Sequence, residues 1–444
     1  MQPDWTAPAA AGPVCARLRP PGSKSMTYRA LVLAALAAGP TVITNPLRAR
    51  DTLLMAVALR SLGAVIDETS GDGGPGGEPA AWQVARGRPG DRAVIDVGNA
   101  GTVLRFVPPV AALGRADVEF RGDERAASRP VGPLLAALRE LGAVIEGGDA
   151  VPFVVRGRGG ISGGTVTLDA SGSSQLVSGL LLAAPRYDKG AEVCHQGPPV
   201  PSAPHIAMTV QMLQDAGAEV ESGIRGRADR GRPVPDFWRV RPGELRPAAV
   251  AVEPDLSTAA PFLAAALVTG GSVTIAGWPG QTVQPAGQIL DVLTRMGAAC
   301  SPVAGGMRVT GTGTIRGITA DLRDISEVVP VLSALAALAD SPSVFTGIGH
   351  MRTHESDRLA ALATEIGGLG GDVTELPGGL EIRPRPLRAG GAVFASHDDH
   401  RLVMAAAVLG LAQPGGLRVG DAATVGKTFP AFTRMWSQML ERSS

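Results

Sequence analysis

The sequence predicts an α/β protein of two domains, each holding about three copies of one mixed supersecondary unit. Three observations predict it. The chain has 444 residues, too many for one ordinary hydrophobic core. One short phrase occurs five times along it. Between the phrases lie polar helix heads, each followed by an apolar helical run.

The phrase is clearest as Leu59-Arg-Ser-Leu-Gly-Ala-Val-Ile66, which returns as Leu138-Arg-Glu-Leu-Gly-Ala-Val-Ile145. Weaker versions are Met212–Val220, Val292–Cys300 and Leu369–Val373. Each reads as a helix end, a glycine C-cap and a strand start. The glycines are Gly63, Gly142, Gly217, Gly297 and Gly370, nearly evenly spaced. Shared helix-cap chemistry alone explains one or two matches, not five. A repeat this long holds several elements, so the chain is not a short-period solenoid.

The heads, in order, are Ser23–Arg29, Asn99–Thr102, Ser128–Pro130, Ser173–Gln175, Asp255–Thr258, His354–Arg358 and Asp398–Arg401. Ser, Thr, Asn and Asp are ordinary N-caps. Many of these heads also carry Lys, Arg, His or Gln, and helix N-termini suit anions. Copies aimed at one place would build an anion cleft. Hinges are expected near 20–23 and 246–255. The first domain then spans 23–250, and the second combines 1–22 with 251–444, the N-terminal strand joining the C-terminal repeats.

Composition narrows the function. Hydrophobic residues make up 45% of the chain, enough for full folding, and aromatics only 4%. Helices should therefore pack closely on alanine and glycine. Basic and acidic residues balance at 41 each, which argues against nucleic acid or a membrane surface as partner. Any anion site must be a local concentration of charge. The longest apolar runs, such as Val328–Ala339, are too short to span a bilayer and read as buried helices. Cys15, Cys194 and Cys300 lack metal or disulfide spacing and fit a reducing compartment. Met1-Gln-Pro-Asp-Trp5 has no signal-peptide pattern. A soluble cytoplasmic protein is expected. The segments Gly71–Gly77 and Gly223–Pro235 read as exposed loops.

Only Lys24, Lys189 and Lys427 are lysines. Lys24 and Lys427 sit in glycine-bearing motifs, where a flexible ammonium does what a planar guanidinium cannot. Lys189 reads as superficial. Pro21-Gly-Ser-Lys-Ser25 is not a P-loop, because serine separates glycine from lysine. Ser173-Ser-Gln175 suits either a phosphate or a doubled N-cap. His354–Arg358 groups base, acid and guanidinium within one helical turn; such a run is either a surface ion-pair cluster or part of an anion site. His350, His354, His397 and His400 lack recognised metal-ligand spacing, so no metal is expected.

In order, the pieces PGSKSMTYRA, GNAGTVLRF, SRPVG, SSQLVSGLLLAAP, EPDLSTAAPFLAAAL, HESDRLAAL, DDHR and GKTFP resemble the EPSP synthases, from about Pro20 to Phe432. The resemblance implies a two-domain inside-out α/β barrel, each domain of three βαβαββ units. It implies transfer of an enolpyruvyl group from phosphoenolpyruvate to the 5-hydroxyl of shikimate 3-phosphate, releasing phosphate, by a monomer without metal or organic cofactor.

Carried over by motif position, Ser25 and Arg29 would hold the shikimate carboxylate. Ser173, Ser174 and Ser202 would hold its phosphate, with Gln175 over the ring. Lys24, Glu327, His350 and His354 would also contact shikimate 3-phosphate. Lys24, Asn99, Gly101, Arg129, Gln175, Arg358, His400, Arg401 and Lys427 would surround phosphoenolpyruvate. Glu327 is the implied base and Glu355 the implied acid, with Lys24 and His354 beside them. Lys24 and Lys427 would then lie on opposite sides of one cleft.

Several positions depart from the commonest family pattern. His354 stands for lysine, His350 for asparagine, His205 for an aromatic hydroxyl and Glu327 for aspartate. Unsubstituted Gly101 resembles glyphosate-sensitive members. A related family that transfers enolpyruvate to UDP-N-acetylglucosamine carries a reactive cysteine in a mobile loop. The matching stretch here, Arg121–Arg129, has none. A non-catalytic anion-binding scaffold is disfavoured by the presence of both Glu327 and Glu355.

Overall fold

Five glycines mark where helices stop and strands begin. Gly63, Gly142, Gly217, Gly297 and Gly370 all adopt positive φ, from 86° to 110°. Glycine reaches this region without a Cβ penalty, so each helix ends there and the chain turns into a strand. The computed structural model describes residues 4–69, 81–88, 90–225, 234–247 and 249–441. The expected loop Gly71–Gly77 lies outside the described residues, as does most of Gly223–Pro235. Arg225, at the edge of that second stretch, pairs with Glu192 at 2.6 Å.

The chain divides into two compact units, residues 22–252 and residues 1–21 with 253–444. In the first unit, helices α1 (Lys24–Leu36) and α2 (Arg50–Ser61) accompany a sheet of Thr41–Thr44, Ala81–Ala85 and Val65–Thr69. Val250–Ala251, at the far end of the unit, completes this sheet by pairing parallel to Ile43–Thr44. The second copy comprises α3 (Gly101–Ala111), the short α4 (Glu124–Ala127), α5 (Gly132–Glu140) and four strands between Arg92 and Arg156. The third comprises α6 (Ser174–Ala183), α7 (Ala203–Asp215) and four strands between Gly164 and Val240. In the second and third copies the order is β-α-β-α-β-β: the first two strands run parallel and the last two close antiparallel.

The second unit repeats this plan. Helices α8 (Leu256–Thr269) and α9 (Ala286–Arg295) serve a sheet whose outer strand, Cys15–Leu18, comes from the N-terminus and pairs parallel to Ser272–Ile275. Helices α10 (Val329–Ala337) and α11 (Arg358–Gly368) serve the next sheet. The last copy, with α12 (His400–Gly410) and α13 (Phe432–Glu441), has three strands, one of them Trp5–Ala7.

In each unit three helices form the middle. In the first, α1, α3 and α6 pack on one another; in the second, α8, α10 and α12 do. Their sequences are apolar almost all round, as helices buried on every side must be. Close packing on small residues is explicit at Gly179 of α6, where an added Cβ would lie 2.3 Å from the Arg105 carbonyl of α3. In the second unit, Phe262, Phe429, Phe432 and Trp436 join the core as tilted and edge-on ring pairs. No helix among the described residues is long and apolar enough to cross a membrane. Cys194 and Cys300 are free thiols.

Candidate functional site

The candidate residues fall at helix heads and in the turns beside them, in two groups, one per unit. In residues 22–252, Ser23 caps α1 by accepting from the Met26 N–H at 3.4 Å, which sets Lys24 as the first helical residue and Ser25 as the second. One turn on, Arg29 is buried. Its Nε donates to Thr209 Oγ1 at 2.7 Å, its Nη1 to the Ser25 carbonyl at 2.9 Å, and its Nη2 to the His205 carbonyl at 2.8 Å and Ser178 Oγ at 3.3 Å. Its guanidinium also lies 5.3 Å from the Phe106 ring centroid. All these acceptors are neutral. Desolvation pulls the guanidinium down to about 9, because among the described residues no acid pairs with it to repay the buried charge.

Two further fixtures belong to this unit. The Gln175 amide oxygen accepts from Arg105 Nη1 at 2.9 Å, and Arg105 Nε is tied to the Pro130 carbonyl at 3.0 Å. That leaves the Gln175 amide N–H₂ as its donor face. Of the two serines before it, Ser173 acts as the N-cap, accepting from the Gln175 N–H at 3.3 Å, and Ser174 is the first residue of α6. Arg129 Nη1 donates to the Asn99 carbonyl at 2.8 Å and its side-chain oxygen at 3.3 Å, and the guanidinium lies over Gly101 at the head of α3. A Cβ there would sit 2.5 Å from Arg129 Cζ. Ser202 precedes α7 in the left-handed region, φ 54°.

In residues 253–444 Arg358 is the hub. It begins α11, capped by Asp357, whose carboxylate accepts from the Leu359 and Ala360 N–H groups. The expected single helical turn over His354–Arg358 is therefore corrected: residues 354–357 precede the helix, because the Asp357 cap starts it at Arg358. Nor is the run a surface cluster, since the side chains of Arg358 and Asp399 are 0% exposed. Arg358 Nε donates to Asp399 at 2.8 Å, Nη2 to Glu355 at 2.9 Å, and Nη1 to Glu327 at 3.4 Å. Desolvation opposes the charge, but Asp399, Glu355 and Glu327 outweigh it and raise the guanidinium above its ordinary value.

Glu327 also pairs with Arg401 Nε at 3.4 Å. Arg401 Nη2 donates to Ser257 Oγ at 2.8 Å, and Ser257 donates to Asp255 at 2.6 Å. Lys427 meets Asp398 Oδ1 at 2.5 Å. The cations here are matched by acids, so positive charge is held in place rather than in excess.

The histidines take distinct roles. The His354 Nδ1 stands 3.0 Å from Arg358 Nη1. A guanidinium only donates, so Nδ1 accepts and the ring proton belongs on Nε2. Desolvation, then the Arg358 charge, holds His354 well below the ordinary imidazole range. The His350 ring lies edge-on to it at 5.4 Å. Desolvation pushes His350 down to about 4, and its buried Nε2 has no hydrogen-bond partner among the described residues. His400 is buried, with Nδ1 3.8 Å from Asp399, beyond hydrogen-bond reach. Among the described residues, no group of three His, Cys, Asp or Glu side chains is set to hold a metal ion.

Among the positioning partners, Arg105 follows one turn after the Asn99–Thr102 head, and Ser257 and Asp399 lie within the heads Asp255–Thr258 and Asp398–Arg401. Thr209 and Ser178 carried no sequence signal and reach Arg29 from α7 and α6.

Comparison with known proteins bears on this geometry. A family profile described as EPSP synthase (3-phosphoshikimate 1-carboxyvinyltransferase) matches residues 8–436. A 3-phosphoshikimate 1-carboxyvinyltransferase of Mycobacterium ulcerans (strain Agy99) is 48% identical over 446 residues, covering 99% of this chain and 98% of that protein. An EPSP synthase structure from Acinetobacter baumannii matches with a TM-score of 0.76 at 24% identity, covering 99% of this chain and 98% of that one. The enolpyruvyl transferase NikO of Streptomyces tendae matches with a TM-score of 0.74 at 18% identity, covering 97% and 96%. At those identities the two structures speak to the fold alone.

Proposed function

The chain belongs to the EPSP synthase family, and from that premise we propose which of its residues carry the reaction. It is a transferase of the shikimate pathway, moving the enolpyruvyl group of phosphoenolpyruvate to the 5-hydroxyl of shikimate 3-phosphate. The products are 5-enolpyruvylshikimate 3-phosphate and phosphate.

Ser25 and Arg29 hold the shikimate carboxylate; Ser173, Ser174 and Ser202 hold the phosphate; Gln175 lies over the ring. Lys24, Glu327, His350 and His354 complete the contacts to shikimate 3-phosphate. Lys24, Asn99, Gly101, Arg129, Gln175, Arg358, His400, Arg401 and Lys427 hold phosphoenolpyruvate. The observation that carries the reading is Arg29, a buried guanidinium among neutral acceptors. A bound carboxylate supplies its missing counter-charge. His350 Nε2 likewise supports a polar ligand.

Glu327 takes the proton of the 5-hydroxyl as its oxygen bonds to C2 of phosphoenolpyruvate. Glu355 gives a proton to the C3 methylene, completing a tetrahedral adduct. C3 then returns a proton, the double bond re-forms and the C2–O bond to phosphate breaks. The hydroxyl proton leaves with phosphate. Arg358 and Arg401 stabilise the charge that builds on the carboxylate and phosphate. A neutral His354 donates through Nε2 rather than titrating. The enzyme works as a cytoplasmic monomer on small-molecule substrates, not on nucleic acid or membrane, consistent with its balanced charge.

The test is phosphate release by purified protein. Release is expected only when shikimate 3-phosphate and phosphoenolpyruvate are both present. Release with UDP-N-acetylglucosamine in place of shikimate 3-phosphate, or no release with either acceptor, would overturn the assignment.

A further inference from the structure

Two consecutive residues before α12 stand in the left-handed region without being glycine: His397 at φ 49° and Asp398 at φ 55°. That backbone is costly for residues with a side chain, and two in succession persist only where their surroundings hold them. The surroundings do so from two elements. On α11, Glu365 meets His397 Nε2 at 2.7 Å through one oxygen and accepts from the Ala395 N–H at 2.8 Å through the other. On the 3₁₀ turn Ala422–Lys427, Thr424 Oγ1 donates to Asp398 Oδ1 at 3.1 Å. Lys427 Nζ meets both Asp398 Oδ1 and the Asp398 carbonyl, each at 2.5 Å.

The braced turn joins the elements that carry three candidate cations. Arg358 begins α11, Arg401 lies in the first turn of α12, and Lys427 ends the 3₁₀ turn. The ammonium is buried, its side chain 5% exposed, while the Asp398 side chain is 61% exposed. An ammonium has three donors. Two go to Asp398, and the third has no partner among the described residues.

We propose that Asp398 is a positioning residue for Lys427: the left-handed turn, braced by Glu365, turns both its carboxylate and its carbonyl toward one ammonium and leaves the third N–H for an oxygen of phosphoenolpyruvate. This rests on the reading that places Lys427 against that substrate. A flexible lysine stem needs such an anchor, because unheld it samples many rotamers. Neither His397, Asp398 nor Glu365 belongs to the substrate contacts assigned above.

The test compares steady-state kinetics of the full chain with Asp398→Gly, Asp398→Asn and Lys427→Met. Glycine relieves the left-handed backbone, while loss of the carboxylate leaves the buried Lys427 ammonium with the Asp398 carbonyl alone; the two effects oppose, so Asp398→Gly should stay folded with only a small shift in melting temperature. It should nevertheless raise KM for phosphoenolpyruvate about tenfold, with KM for shikimate 3-phosphate within about twofold. Asparagine tolerates the same backbone and keeps an acceptor oxygen, so Asp398→Asn should bring KM for phosphoenolpyruvate back to within about threefold of the parent. If Lys427→Met raises that KM and Asp398→Gly does not, the proposal falls while the assignment of Lys427 stands. If Lys427→Met leaves it unchanged, the assignment falls and the proposal with it. A strongly lowered melting temperature in Asp398→Gly, with both KM values rising together, would mark Asp398 as structural and also overturn the proposal.

Discussion

An alanine at position 101 would place its Cβ 2.5 Å from Cζ of Arg129 and 2.6 Å from Nη2. No real contact is that short, so one partner must move. The helix backbone cannot, but the guanidinium is the free end of a long side chain. Gly101→Ala therefore displaces Arg129 from Asn99 and from its place over α3, at little cost to the fold. KM for phosphoenolpyruvate is expected to rise about tenfold, the effect of losing roughly one charged hydrogen bond, while the melting temperature stays near that of the parent. An unchanged KM for phosphoenolpyruvate would remove Arg129 from that substrate's contacts. Arg358 differs in kind. Its side chain and that of its partner Asp399 are wholly buried, so loss of either would strand a charge in the interior. The same residue type thus serves as a movable arm at 129 and as a fixed post at 358.

Two glycines separate conformational from steric demands at the level of elements. Gly370 has φ 89°, and a Cβ there meets nothing nearer than 3.7 Å. Gly370→Ala should cost about 1 kcal/mol of stability through backbone strain alone and leave activity intact. In α6, by contrast, a Cβ at Gly179 would press to 2.3 Å on the Arg105 carbonyl, which is backbone and cannot swing aside. Gly179→Ala should force α6 and α3 apart, cost about 1–3 kcal/mol, and disturb the Arg105–Gln175 contact. Thermal melting alongside turnover separates them: a Gly179→Ala enzyme of normal stability and rate would contradict the close packing. This contrast shows what the sequence revealed and what it hid. The five phrase glycines were legible because a helix C-cap is a local steric fact. The sixth copy showed no phrase because α13 is not followed by strands among the described residues. The head His354–Arg358 was legible as a polar run before a helix, but its residues do not share one helical turn, because the Asp357 cap starts the helix only at Arg358. The pairing of Thr209 with Arg29, and of Ser257 with Arg401, was not legible, since each contact joins positions far apart in the chain.

Across the whole molecule, balanced charge removes one usual source of pH sensitivity and leaves buried histidine as another. The six histidines sit in a chain with 41 basic and 41 acidic residues, so net repulsion is weak near neutrality. His350 is pushed down to about 4, and His354 well below its ordinary range, by desolvation before any other cause. In the unfolded chain both return to about 6.5. Between those values the unfolded state holds protons that the folded state refuses, so stability falls as pH drops from about 6.5 toward 4. For His350 alone the loss at pH 5 is about 2 kcal/mol, trimmed by its partial exposure. Above pH 7 this contribution is level, because both states are neutral there. Denaturant unfolding at pH 8 and pH 5 checks it. The parent should lose stability on acidification, and His350→Asn should lose less, since asparagine has no proton to bind in either state. Equal losses in the two proteins would mean that His350 titrates normally when folded, and that its buried Nε2 is solvated rather than waiting for a ligand.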